Sequence, residues 1–270
     1  MRGRGLNFEE LRNYVPGDDI RVIDWHVTAR TQKPYVRVYT EERDRSTLVV
    51  VDQRVNMFFG SRVSMKSVIA AEAAALTAWR VFQQGDRIGA FVFNDKSTDE
   101  IRPHRSRSTV LRILETLVQH NKLLHATYDA EPGAPRLNEV LQKVTQLAQR
   151  DHLIVVASDF DGANEQTRDL LLRLSQHNDV IAVLIYDPLA VQLPPAGQLV
   201  VSDGELQVEI PFGNEKIRKN LLEASDARMR HILSWQHEIR VPVMPLSTAD
   251  DTATQIRHLL GQVAARRTQR

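Results

Sequence analysis

The run Thr47-Leu48-Val49-Val50-Val51-Asp52 constrains this chain more than any other stretch. Five residues are apolar or β-branched, and they lead without interruption into a single acid. A continuous apolar run of this length, closed by an acid, reads as a parallel strand buried on both faces. Its carboxyl end then delivers Asp52 to the edge of an open α/β sheet, where ligands bind in such folds. A polar turn follows from Gln53 to Asn56, and then Met57, Phe58, Phe59 and Gly60.

The rest of the chain alternates strand and helix signals around this run. Val63–Gln84 is a helix rich in alanine, a residue of high helix propensity that allows close packing on a sheet, and Gly85 stands where it stops. Arg87–Phe93 reads as a second strand, and Thr98–Pro103 as an antiparallel edge strand on which Pro103 is tolerated. Helices are expected at Ser108–His120 and Arg136–Gln149, with an irregular loop at His125–Pro135 between them. His152–Asp159 is a third buried strand, again ending in an acid. A helix over Asn164–His177, a strand over Asp179–Tyr186, a helix over Lys216–His237, a short strand at Arg240–Pro245 and a helix over Thr248–Arg266 complete the pattern. Prolines and glycines break it at 187–213, where Gln198–Ser202 and Glu205–Ile210 read as a β-hairpin turning at Asp203-Gly204. Such alternation predicts an α/β fold: a doubly wound, mostly parallel sheet with helices on both faces and right-handed crossovers. The division expected is an N-terminal arm, 1–46, and an α/β domain, 47–270, carrying the hairpin insertion.

Composition removes several function classes. The formal charge is +1 over 270 residues, which argues against a nucleic-acid face; the four arginines from Arg257 onward read as a solvated helix end. With no cysteine, disulfides, thiolate catalysis and cysteine-type zinc sites are absent, which suits a reducing cytoplasm. No apolar run approaches the ~20 residues that span a bilayer, and the first residues lack the apolar core of a signal peptide. A partner provides the expected route to any membrane association. The nine histidines are scattered and form no HExxH. There is no phosphate-binding GxxxxGK[ST] and no GxSxG elbow. A strand-end aspartate also opens the haloacid dehalogenase phosphatases, but Arg54 stands where their second acid is needed.

The arm holds Tyr14, Pro16, Gly17, Asp18, Asp19, Arg21, Asp24, Trp25 and Arg30. Pro16-Gly17 is a type II turn signal, and Pro34–Tyr39 alternates like a strand laid on the main sheet. The charges read as an internal ion-pair network. Trp25 is the expected apolar anchor, so Trp25→Ala should cost about 3–5 kcal/mol.

Two strands end in an acid, and in a doubly wound sheet Asp52 and Asp159 face one crevice at the switch point. Either each acid orders its own loop or helix, or the pair is functional. The strand-Asp-loop-helix start and the later Ser158-Asp159 resemble a von Willebrand factor A domain, which carries a metal-ion-dependent adhesion site. Phe8 to Trp25, followed by Ala29-Arg30 and the middle segment Gly85-Asp86-Arg87-Ile88-Gly89, resembles the signature of the domain of unknown function 58 family, found in bacteria. The resemblance covers residues 3 to about 185 and implies a non-catalytic interaction module. It also implies a MoxR-type AAA+ ATPase and other von Willebrand A proteins as partners, in a chaperone-like or complex-maturation system. Carried over residue by residue, the metal site is degenerate. Asp52 and Asp159 match its acids, Arg54 and Asn56 replace its two serines, and Pro135 stands near its threonine. Asn56 retains an amide oxygen.

Magnesium needs six oxygens near 2.1 Å. A guanidinium about 4 Å from a divalent ion at an effective dielectric constant of ~20 would cost roughly 8 kcal/mol. The expectation is therefore that Arg54 pairs with Asp52 or Asp159 in the metal's place. Magnesium or manganese at Asp52, Asn56 and Asp159 is disfavoured, and no other cofactor is expected. The interaction face expected is Asp52, Gln53, Arg54, Asn56 and Asp159. The alternative is a metal-dependent hydrolase at the same edge.

Overall fold

The computed structural model describes residues 6–41, 45–125, 136–190, 198–202, 207–211 and 215–267. The chain divides into two compact units, 1–44 and 45–270.

In the first unit, β1 (Leu6–Asn13) and β2 (Tyr35–Glu41) pair antiparallel. The strand expected to lie on the main sheet is β2, and it pairs with β1 instead, in a two-stranded sheet. Between them Pro16-Gly17 forms the anticipated turn: Gly17 has φ 113°, and the Asp18 amide donates to the Val15 carbonyl at 3.0 Å. A positive φ at this position is what glycine supplies without steric cost. The short helix α1 (Trp25–Thr31) is capped by Asp24, whose carboxylate accepts from the His26 and Val27 amides. The acids are internal organisers, as expected. Arg12 and Asp18 pair at 2.7 Å, Arg37 and Asp24 at 2.8 Å, and Asp19 accepts from the Arg21 amide. Arg37 and Arg12, with backbone amides, hold Asp24 and Asp18 respectively below the ordinary carboxylate range. Trp25 is not an anchor. It is 67% exposed, and its α1 neighbours His26, Ala29 and Arg30 are exposed as well.

The second unit is a six-stranded sheet. Its strands are β3 (Ser46–Asp52), β4 (Arg87–Phe93), β5 (Thr98–His104), β6 (His152–Ser158), β7 (Asp179–Tyr186) and β10 (Val243–Ser247). The order across the sheet is β10-β7-β6-β3-β4-β5. All neighbours are parallel except β5, the antiparallel edge strand. This is the doubly wound α/β arrangement expected, with its switch point between β3 and β6.

Its α-helices, among the described residues, are α2 (Lys66–Gln83), α3 (Arg107–Leu123), α4 (Arg136–Leu147), α5 (Glu165–Ser175), α6 (Glu215–Glu238) and α7 (Thr252–Arg267). Leu48 and Val50 of β3 belong to a core with Leu141, Leu171 and Trp235 of α4, α5 and α6. Val49 and Val51 belong to a second core with Ala70, Ala74 and Ile113 of α2 and α3. Burial on both faces is why the strand shows no polar alternation. The alanines of α2 lie against the sheet, with Ala70, Ala73, Ala74 and Ala78 all buried.

Strand β8 (Gln198–Ser202) and strand β9 (Gln207–Pro211) pair antiparallel in a separate two-stranded sheet. The turn at Asp203-Gly204, most of the loop at 125–135 and Pro135 lie outside the described residues. Three elements start three or four residues later than the sequence suggests. Helix α2 starts at Lys66 rather than Val63, because Ser61 and Ser64 are bound elsewhere. Strand β10 starts at Val243 rather than Arg240, which takes φ 56°. Helix α7 starts at Thr252 rather than Thr248, whose side chain is held by Asp187.

Candidate functional site

The register places Val51 of β3 beside Ala157 of β6. Asp52 therefore leaves its strand next to Ser158 and Asp159, as the sequence suggested. Asp52 is fully buried. Its Oδ2 accepts from the Ser158 hydroxyl at 2.6 Å and from Arg54 Nη2 at 2.7 Å; Oδ1 accepts from Arg54 Nε and the Arg54 amide, both at 3.0 Å. The guanidinium also donates to the Asp161 carbonyl at 3.1 Å and lies 5.8 Å from the centre of the Phe93 ring. Burial opposes the charge on Arg54, but Asp52 more than offsets it and raises the pKa. The expected pairing of Arg54 with Asp52 is thus what the structure contains.

Asp159 is neutralised by a residue that sequence reasoning missed. Lys66 Nζ lies 2.5 Å from Asp159 Oδ2, while Asp159 Oδ1 accepts from Asn56 Nδ2 at 2.8 Å and from the Asp161 amide at 3.0 Å. Burial pushes the Asp159 carboxyl up; Lys66 and Arg54 overcome this and hold it below the ordinary range. A signal for Lys66 existed. It is the first residue of α2, and the preceding Met65 makes no side-chain cap. A cation in the first turn opposes the helix dipole, and such a local misfit points to a tertiary reason.

Gln53 lies under this pair, fully buried: Nε2 donates to the Ser67 carbonyl at 2.8 Å and Oε1 accepts from Asn121 at 3.1 Å. Beside it, Asp95 accepts from the Val55 amide at 2.8 Å, and Arg136 closes over the same loop through the Asp95 and Lys96 carbonyls. Burial raises the Asp95 pKa, and the Val55 amide and Arg54 only partly oppose it.

A third buried carboxylate occupies the next strand end. Asp187 follows β7 and is 4% exposed. It accepts from the Ser61 amide (2.7 Å), the Ser61 hydroxyl (2.6 Å), the Thr248 hydroxyl (2.5 Å) and the Leu189 amide (2.9 Å). Burial opposes its charge, but the hydroxyls of Ser61 and Thr248 and the two amides prevail and lower its pKa. Asp187 carries the same signal as Asp52 and Asp159, a buried strand running into an acid, but Pro188 directly after it drew the reading toward a chain break.

The five residues expected as an interaction face are brought together, yet not as a face. Asp52, Gln53, Arg54 and Asp159 are all less than a tenth exposed, and their polar groups are bonded to one another, to the side chains of Asn56, Lys66, Asn121 and Ser158, or to backbone. They hold loops beneath the edge. Nor does the donor set suit a magnesium or manganese ion at Asp52, Asn56 and Asp159. One carboxylate chelates a guanidinium, the other binds an ammonium, and Asn56 presents its nitrogen to Asp159. Six oxygens around a hard cation are not gathered here, and no other group of acids and histidines suited to a metal occurs among the described residues. Ser158 donates to Asp52 and accepts from the Phe160 amide, so its hydroxyl ties the ends of β3 and β6 together.

No helix among the described residues is long and apolar enough to cross a membrane. The family profile described as "Protein of unknown function DUF58" matches residues 10–231. Among curated proteins, the chain is similar to the uncharacterized protein Rv1480 of Mycobacterium tuberculosis (strain ATCC 25618 / H37Rv). The two are 30% identical over 257 residues, covering 94% of this chain and 78% of the relative. The uncharacterized protein Mb1516 of Mycobacterium bovis matches to the same extent. Among solved structures, a conserved hypothetical protein BatB from Bacteroides thetaiotaomicron aligns over 84% of this chain and all of its own, with 10% identity and a TM-score of 0.45. The SpRpn10 VWA domain aligns over 80% of this chain and 95% of its own, with 12% identity and a TM-score of 0.39. The strand order, the switch point between β3 and β6 and the antiparallel edge strand make this a doubly wound α/β fold.

Proposed function

The chain belongs to the DUF58 family, and on that premise we propose that it is a non-catalytic protein-interaction module whose partner docks on the carboxyl edge of the sheet. One observation carries this reading. The two carboxylates that flank the switch point are neutralised by cations of the same chain, Arg54 on Asp52 and Lys66 on Asp159. Among the described residues, Asp52 and Asp159 are engaged by these cations and gather no oxygen cage for a metal. An edge of this kind is suited to presenting loops.

The partner we propose is a MoxR-type AAA+ ATPase, acting with other von Willebrand A proteins in a chaperone-like or complex-maturation system in the cytoplasm. The support for it is the signature Phe8 to Trp25. No resident metal or cofactor belongs to the proposal.

Co-purification with the MoxR-type ATPase of the same genome tests it. The variant Lys96→Glu/Asp250→Lys alters two exposed edge residues that donate no side-chain bond to Asp52, Asp159 or Asp187. Loss of the ATPase in this variant, with an unchanged melting temperature, is the expected result; retention moves the interface elsewhere. Calorimetric titration of the wild type with magnesium or manganese should show no micromolar binding. Binding that depends on Asp52 and Asp159 would restore the metal reading.

A further inference from the structure

The segment Phe58–Met65 joins the end of β3 to α2 and lies directly over the buried network. Its path is held from three sides. The Ser61 amide and hydroxyl both bind Asp187, at the end of β7. The Ser64 amide donates to the Thr248 carbonyl, just past β10, at 3.1 Å, and the Lys66 amide donates to the Phe59 carbonyl at 2.8 Å. Gly60 has no room for a side chain: a Cβ there would lie 2.1 Å from the Ser64 carbonyl oxygen and 2.9 Å from the Met65 Cα. Lys66 Nζ, 5.9 Å from the centre of the Phe59 ring, ties the base of the segment to Asp159.

This bracing does not bury the tip. Val63 is 71% exposed, the highest exposure among the large apolar side chains described. Arg62 beside it is exposed and makes no ion pair with any described residue. A single exposed valine on a loose loop needs no explanation. A tip fixed by a buried four-donor carboxylate is different, because its ordering cost has been met before any partner arrives.

We infer that Arg62 and Val63 are the contact element of the carboxyl edge, and that they dock into a small apolar pocket rimmed by acidic side chains on a protein partner. The inference rests on the interaction reading above and deepens it. Val63 supplies the desolvated anchor, and Arg62 supplies a planar donor set that pairs with a carboxylate in two parallel hydrogen bonds. Asp187 is a positioning residue: it never meets the partner, and it sets where the tip stands.

The test is site-specific photocrosslinking in the full chain in native lysate. A benzophenone amino acid replaces Val63, Lys96 or, at the opposite edge of the sheet, Gln83. Crosslinked peptides are identified by mass spectrometry. The expected result is one partner captured from position 63 through a peptide bearing Asp or Glu. Its yield should fall about tenfold with Arg62→Glu, as like charges are brought together, and return when the partner's acid is changed to lysine. Capture from position 96 but not 63 overturns the tip and leaves the edge reading standing. Capture only from position 83, or from none, removes both. A crosslinked peptide without an acid, or a yield indifferent to Arg62→Glu, overturns the acidic pocket.

Discussion

Two buried carboxylate centres lie along one sheet edge and are stabilised in opposite ways. Asp52 is balanced by a full charge, the Arg54 guanidinium, with one hydroxyl added. Asp187 is held with no cation, by two hydroxyls and two backbone amides. A buried charge left alone is costly, and these are two routes around that cost. The ion pair closes a crevice and holds it shut. The hydroxyl cage reaches out to three loops and fixes their positions. The first neutralises the end of β3, and the second fixes the loops around the end of β7.

The comparison can be broken most sharply at Asp52. Asp52→Ala leaves the Arg54 guanidinium buried without its partner and should destabilise the unit by about 3–5 kcal/mol in urea denaturation. The double variant Asp52→Ala/Arg54→Met should recover most of that loss. A single variant as stable as wild type would show that Arg54 escapes to solvent.

Asp187→Ala orphans two amides and two hydroxyls, and should cost about 2–3 kcal/mol. Its signature is local. Hydrogen exchange at the Ser61 and Leu189 amides should rise well before exchange in β3, whereas Asp52→Ala should loosen β3 and β6 together.

Acid separates the centres from their neighbour Asp95. Asp159 and Asp187 have lowered pKa values, so their contribution is complete above the ordinary value of 3.8 and is lost as the pH falls through the lowered folded values. Asp95 has the opposite sign. Its pKa is raised above 3.8 by burial, so the folded state binds the proton first, and stability gains as the pH falls through the raised value. Asp95→Asn should therefore flatten the pH profile just above 3.8, and Asp187→Asn should flatten it below. Urea midpoints across the acid range read both.

The smallest effect is expected in the N-terminal unit. Trp25 is mostly exposed, so Trp25→Ala should change stability by about 0.5 kcal/mol or less, in place of the loss its size alone suggested. A fall of several degrees in melting temperature would restore it as an anchor.

Much of this was legible along the chain. Thr47–Asp52 and His152–Asp159 announced adjacent parallel strands, because burial on both faces removes polar residues from the run, and the register then had to bring Asp52 beside Ser158 and Asp159. Arg54 announced its own pairing with Asp52, because its charge suits a buried carboxylate and conflicts with a divalent cation at that distance. Asp187, Ser61 and Thr248 were not legible as a group, since they are far apart in sequence and only the order β10-β7-β6-β3 brings their strand ends together. Lys66 required the same knowledge, for its partner lies across the switch point. Trp25 failed for another reason: aromatic area predicts burial only where some surface comes to cover it.

The sequence by itself determined the elements, the parallel sheet and the positions of two acids at its edge. These follow from local chemistry: the period of apolar residues, the turn residues, and the incompatibility of a guanidinium with a hard cation. Only the tertiary structure decided which groups neutralise the acids, and that four of the five expected contact residues lie beneath the surface. Pairing and burial are properties of distances between strands, and those distances exist only once the sheet has closed.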